Sequence, residues 1–152
     1  EYLDRVIQEI RKLSRTLNTS VIEDVGLKTP IEEVISNMQS VLSIHVDLQF
    51  DQSLEEVLSF GQKLAAYRIV QKQARNIVKH SRAGKAIISL QQKDGTLVLR
   101  FEDDGIGFDT RTTKHGVGFN NIRNRVEAQN GSMHIRSSPS KGCLLEVVIP
   151  VN

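Results

Sequence analysis

The 152 residues contain one cysteine, Cys143. That excludes a disulfide framework and a cysteine-based metal centre, and it fits a reducing cytoplasm. No stretch approaches the ~18 apolar residues of a membrane-spanning helix, so no membrane contact by this chain is expected. Charge of one sign is scarce as well. The 20 basic and 18 acidic residues leave a net charge of +2, and no basic run stands out, so nucleic acid is not an expected partner. The chain shows no signal peptide, no initiator methionine, no internal repeat and no low-complexity segment. It opens in helical character with EYLDRVIQEIRKLSRTL, which reads as an excised piece of a longer protein whose membrane or sensory parts would lie elsewhere. What is present is a 39% apolar fraction, enough over this length for one domain with a real core.

Apolar residues at Leu3, Val6, Ile10, Leu13 and Leu17 recur at helical spacing, with Asp4, Arg5, Gln8, Glu9, Arg11 and Lys12 on the other face. An ordinary amphipathic helix explains this stripe, and so does a dimerisation helix. Turn residues from Asn18 to Pro30, Gly26 among them, interrupt the pattern. A second helix is expected after Thr29, which can cap it, with Pro30 first and Glu32 and Glu33 in the opening turn, running to about Leu42. SIHVDLQF alternates like a strand. A third helix should start near Leu54 or Ser59 and reach Lys79 or His80, with Gly61 leaving its start open. AIISLQQ and TLVLRFED alternate as strands around Lys93-Asp94-Gly95, a hairpin signal. A helix from Asn120 should stop at Gly131. Strands over Ser132–Ser137 and Leu144–Pro150, joined by PSKG, close the chain. This order predicts an α/β two-layer sandwich with a mixed sheet.

Three segments carry candidate chemistry. In RIVQKQARNIVKHS, Val70, Ala74 and Ile77 share one helix side. Arg68, Lys72, Arg75, Asn76 and Lys79 share the other, with His80 at the rim. A solvated face explains the cations but not Asn76 among them. An amide oxygen there could bind a hydrated Mg²⁺ bridging phosphates, with Lys79 as the point charge. In DDGIGFD, aspartates at a strand end precede glycines at alternate positions, so backbone can approach a flat ligand and a carboxylate can accept from an exocyclic amine. A DG turn with solvated acids is the plain alternative. A calcium loop is excluded by the missing terminal glutamate and flanking helices. In HGVGF, Gly116 and Gly118 open a helix whose N–H groups would suit an anion.

Taken together and in order, these segments resemble the catalytic domains of sensor histidine kinases, in the larger group shared with gyrase-type ATPases and Hsp90, and within it the subfamily of nitrate and degradation-enzyme sensors. RIVQKQARNIVKHS looks like the asparagine box, DDGIGFD the first glycine box and GVGFNNIRNRV the second, while NGSMHIRSSPSKGCLLEVVIP echoes the family's ending. The resemblance covers nearly the whole chain. It implies a mixed sheet of about five strands under about three helices (a Bergerat-type fold), with ATP between the helices and a short lid over Thr110–His115. It implies that Asn76 coordinates Mg²⁺, that Lys79 and His80 lie near the phosphates as the catalytic pair, and that Asp103 accepts from the adenine amine. Gly105 and Gly107 would shape the adenine floor, and Gly116 and Gly118 would bound the lid. Residues 1–19 would end a dimerisation and phosphoacceptor domain and 20–152 would form the ATP-binding domain, with a homodimer through the N-terminal helix and a response regulator as partner.

Two departures stand out. The family's glutamate four residues before the asparagine is Lys72 here, one helical turn away on the same face. The phosphoacceptor histidine is expected upstream of Glu1, since none of His45, His80, His115 and His134 stands in such a context. A nucleotide-binding module without kinase activity and an anti-sigma-type serine kinase are the alternatives; an N-terminal dimerisation tail speaks against the latter.

Overall fold

The structure, a computed structural model, describes residues 1–111 and 117–151. Helix α1 spans Tyr2–Val25, past the turn expected from Asn18. Polar residues of modest helix propensity do not stop it, because its last turn has a place to bury. Ile22 is 1% exposed within the main core, and tertiary burial outweighs propensity. Helix α2 spans Lys28–Val41 and buries Pro30, Ile31, Ile35 and Met38, one stripe at helical spacing. It begins before Thr29, so the expected Thr29 cap is a correction. The N-cap position is Leu27, which has no capping side chain, and the cap comes from a distant residue described below.

Strand β1 (His45–Phe50) leads through the single-turn α3 (Leu54–Val57) to α4 (Phe60–Asn76). The third helix expected from sequence is thus two helices and a final turn. Ser59 starts α4 through a reciprocal capping box: its hydroxyl accepts from Gln62 N at 3.2 Å, and Gln62 Oε1 accepts from Ser59 N at 3.0 Å. The Gln62 amide also donates to Pro150 O at 3.1 Å, fastening the start of α4 to the end of the sheet. Ser59→Ala should therefore lower stability by about 1 kcal/mol in a thermal or urea melt.

Strands β2 (Lys85–Lys93) and β3 (Thr96–Asp103) form the expected hairpin. Asp94 and Gly95 both take positive φ, 51° and 74°, as a two-residue primed turn requires. Helix α5 (Val117–Ala128) is followed by β4 (Ser132–Ser137) and β5 (Cys143–Pro150). The five strands lie in the order β1-β2-β3-β5-β4; β1 runs parallel to β2, and the other pairs are antiparallel. The expected mixed sheet under three helices is present. One sheet face contributes Ala86, Ile88, Leu90, Leu97, Leu99, Phe101, Leu145, Val147 and Ile149 to the core, all buried. Against it α4 sets Ala66, Ile69, Val70 and Ala74, and the turn after it sets Ile77, with α2 and α5 both packed on α4. The other sheet face is open and carries polar pairs such as Arg100–Glu146 at 3.5 Å, both half-exposed. Among the described residues no helix is long and apolar enough to cross a membrane.

Candidate functional site

The polar ends of α4 and β3 meet at one edge of this sandwich. Residue Asn76 closes α4, and the chain then widens into a π turn over Ile77–Ser81 that presents Lys79 and His80, both exposed. Such a turn marks a departure from regular helix, commonly at a functional position. It ends at Arg82, in the left-handed region at φ 52°. The expected division of the α4 surface holds: Val70, Ala74 and Ile77 are buried, while Arg75 and Lys79 are exposed and Lys72 and Asn76 half-buried.

The Asn76 side chain is oriented by a residue that sequence reasoning missed. Its Nδ2 donates at 3.1 Å to Oε1 of Gln73, which is 2% exposed. With the amide nitrogen so engaged, the carbonyl oxygen Oδ1 takes no hydrogen bond from the described residues and can face a ligand. The only sequence signal for Gln73 is its place three residues earlier, on the same helical side.

The two adjacent aspartates at the end of β3 differ in environment. Asp104 is exposed, and its Oδ1 accepts from Gly84 N and Lys85 N, both at 2.9 Å. Those amides, that of Lys85 foremost, hold its carboxyl below the usual range. Asp103 is 7% exposed, and its Oδ1 accepts from Gly105 N at 2.9 Å. Burial pushes its carboxyl up, the charge of Asp104 adds to this, and the amides of Gly105 and Cys143 oppose it. Asp104 thus clips the start of β2, whereas Asp103 is poorly solvated and holds Gly105 N. Carboxyl groups whose surroundings drive their proton affinities apart commonly serve different roles.

Asp103 also borders a cleft of about 420 Å³ whose other lining residues include Glu102, Arg136, Ser138, Lys141 and Leu144, chiefly on the sheet face away from α4. Asn76, Lys79 and His80 do not line it. The π turn instead meets the loop after Asp103, where Ser81 O accepts from Ile106 N at 2.8 Å. The cleft also holds the lone cysteine, which the motifs had left aside. Cys143 pairs with Asp103 across β3 and β5, and its thiol is pushed up to about 12 by burial and by the Asp103 charge. It is therefore a neutral, unreactive neighbour.

The glycines of DDGIGFD have a more local reason than ligand approach. A β-carbon on Gly105 would run into the carbonyl of Ser81, and one on Gly107, at φ 61°, into the carbonyl of Ser138. The loop is pressed between the π turn and the β4–β5 hairpin, and Ser140 N donates to Ile106 O at 2.7 Å. Phe108 N donates to Ser137 Oγ at 2.9 Å, and the Phe108 ring lies 5.9 Å from that of Phe119 on α5. Gly118 lies inside the first turn of α5, which starts at Val117, three residues before the start expected at Asn120. Gly116 and the expected lid from Thr112 to His115 lie outside the described residues.

The sequence model described as "Histidine kinase-, DNA gyrase B-, and HSP90-like ATPase" matches residues 61–152, from the first turn of α4 through β5. The chain belongs to this ATPase family. Its members similar to this chain include the sensor histidine kinase ComP of Bacillus subtilis (strain 168), 32% identical over an alignment of 155 positions that covers 98% of this chain and 20% of ComP. The oxygen sensor histidine kinase NreB of Staphylococcus carnosus (strain TM300) is 26% identical over 98% of this chain and 43% of NreB. The chain thus spans less than half the length of either relative. Among solved structures, the Erythrobacter litoralis EL346 blue-light activated histidine kinase shares the fold with a TM-score of 0.74 at 17% identity, over 95% of this chain and 50% of that one. The chain is the ATPase domain of the kind carried by two-component sensor histidine kinases.

Proposed function

We propose that this domain binds Mg·ATP and delivers the γ-phosphoryl group to a histidine outside the chain, from which a response regulator would take it. The observation that carries the reading is Asp103, a buried carboxylate at the end of β3, beside a glycine loop pressed against the π turn that bears Lys79 and His80. In this reading it accepts from the exocyclic amine of adenine. Lys79 and His80, exposed on the π turn, serve the phosphates as charge and hydrogen-bond donor. The glycine-bounded segment of Gly116 and Gly118 before and within α5 would approach them from the other side. Residues 1–19 are the end of a helical dimerisation domain, and 20–152 the ATP-binding unit, with α1 running across the boundary.

The donor set suits Mg²⁺ brought in with its nucleotide. Asn76 presents an amide oxygen oriented by Gln73. Among the described residues no group of three acidic, histidine or cysteine side chains could hold a metal by itself. One oxygen ligand from protein with the rest from phosphate and water is the usual arrangement for this ion. When bound, the ion neutralises charge on the transferred group. Asn76 orients it, and Lys79 balances the remaining phosphate charge. Lys72, in place of the family's glutamate, leaves no carboxylate one turn before Asn76, which weakens any route in which a base there polarises water.

Incubation of the purified 152-residue chain with labelled ATP and Mg²⁺ should leave it unlabelled, while a longer chain carrying the upstream helix should label. Acid-labile phosphate on His45, His80, His115 or His134 would overturn this placement of the acceptor.

A further inference from the structure

The junction between α1 and the nucleotide-binding unit is held by a side chain that no motif contains. Helix α1 ends at Gly26, with φ 88° and ψ −166°, and its amide closes the helix on Ile22 O at 3.1 Å. Helix α2 starts two residues later at a leucine N-cap without a capping side chain. The missing acceptor comes from Glu55 on α3. Its two carboxylate oxygens take Leu27 N at 2.8 and 3.1 Å, and Oε2 takes Lys28 N at 3.3 Å. A carboxylate is the favoured partner for free amides at a helix N-terminus. The same Oε1 that takes Leu27 N at 2.8 Å lies 3.8 Å from Lys63 Nζ of α4, with both side chains less than a fifth exposed. A β-carbon on Gly26 would collide with the Glu55 carboxylate. Leu27 and Leu54, both 0% exposed, close the junction from the core side.

We propose that Glu55 is a positioning residue, a latch that fixes the direction in which α1 leaves the ATP-binding unit. One carboxylate joins the end of α1, the start of α2, α3 and α4, the helix that carries Asn76. Among the described side chains of α1, Tyr2, Leu3 and Ile10 are exposed, and Ile22 is buried in the last turn. Ile22, the Gly26 turn and the Glu55 bonds thus act together where α1 leaves the unit. The consequence for phosphoryl transfer rests on the function proposed above, because an acceptor upstream of α1 must reach the nucleotide at a set angle. The latch itself does not rest on it.

The test uses spin labels at Arg5→Cys and Lys93→Cys, both exposed positions, in a Cys143→Ser background and diluted with unlabelled chain to suppress distances between copies. All variants are compared within that background. The unaltered junction should give one narrow distance distribution. Glu55→Ala and Gly26→Ala should broaden or shift it, Glu55→Gln should do so less, and Mg·ATP affinity should stay within about twofold. In a longer chain bearing the acceptor, Glu55→Gln should lower the transfer rate without raising KM for ATP. An unchanged distance distribution in Glu55→Ala overturns the latch. If Glu55→Ala fails to fold, Glu55→Gln and Lys63→Met decide by the same reading. Absence of ATP binding in every variant, the unaltered junction included, would sink the nucleotide reading while leaving the distances to judge the latch.

Discussion

Gly142→Ala is expected to lower stability by about 2–5 kcal/mol, roughly 4–20 °C in Tm for a chain of this size. Two effects add. Gly142 has φ 70°, where a β-carbon is strained, and that carbon would also drive into the backbone carbonyl of Asp103. The obstacle is main chain in the middle of the sheet, so no rotamer change relieves it. Gly95 separates the two effects. Its φ is 74°, nearly the same, but nothing lies within 4 Å of an added β-carbon. Gly95→Ala should therefore cost only the conformational part, about 1–2 kcal/mol. Urea melts of both variants check the difference, and equal losses would show that the close approach at Gly142 does not matter. Because the displaced atom is the Asp103 carbonyl, any Gly142→Ala chain that folds should also bind ATP at least about tenfold more weakly.

Asp103→Asn should separate stability from binding in opposite directions. The folded Asp103 carboxyl holds its proton to higher pH than the unfolded chain's, near 3.8. Folding therefore takes up a proton between the two values. The stability contributed by this group falls as pH rises through that window, and it remains at the lower level at neutral pH. Asparagine carries no charge to desolvate, and its Oδ1 can still accept from Gly105 N. Asp103→Asn should raise Tm of the nucleotide-free chain at pH 7 by about 1–4 °C, equivalent to roughly 0.5–1 kcal/mol, and the gain should vanish below pH 4. The same change should weaken ATP binding by ~1–3 kcal/mol, about 5–150-fold, by removing a charged acceptor from the adenine amine. Asp103→Ala should lose both, since Gly105 N is then unpartnered. A Tm that falls in Asp103→Asn, or an ATP affinity left unchanged, would contradict this account of the carboxylate.

Much of the fold was legible in local pattern. The alternation of β2 and β3 around Asp94-Gly95 marked the hairpin, and the α4 face with Val70, Ala74 and Ile77 inward followed from helical spacing. What escaped the sequence lay in long-range partners. Thr29 looked like the cap of α2, but the actual cap is Glu55, far along the chain and on another helix. Asn18 looked like a stop, because nothing local says that Ile22 finds a core. Lys79 and His80 were expected at the end of a regular helix, and stand instead on a π turn that no propensity scale signals. The glycines of DDGIGFD were read as room for a ligand; what the pattern did not signal is that Gly105 and Gly107 also make room for Ser81 and Ser138. Among the site residues, Asp103 and Asp104 are indistinguishable by type and position; only burial and the Gly84 and Lys85 amides tell them apart.

Calorimetric titration of the 152-residue chain with Mg·ATP and, in parallel, Mg·GTP tests the central claim most directly. A carboxylate at Asp103 attracts the adenine amine and repels the carbonyl oxygen that guanine places there. The account predicts saturable one-to-one binding of Mg·ATP and binding of Mg·GTP at least about tenfold weaker. No heat with either nucleotide, or equal affinity for both, would contradict it.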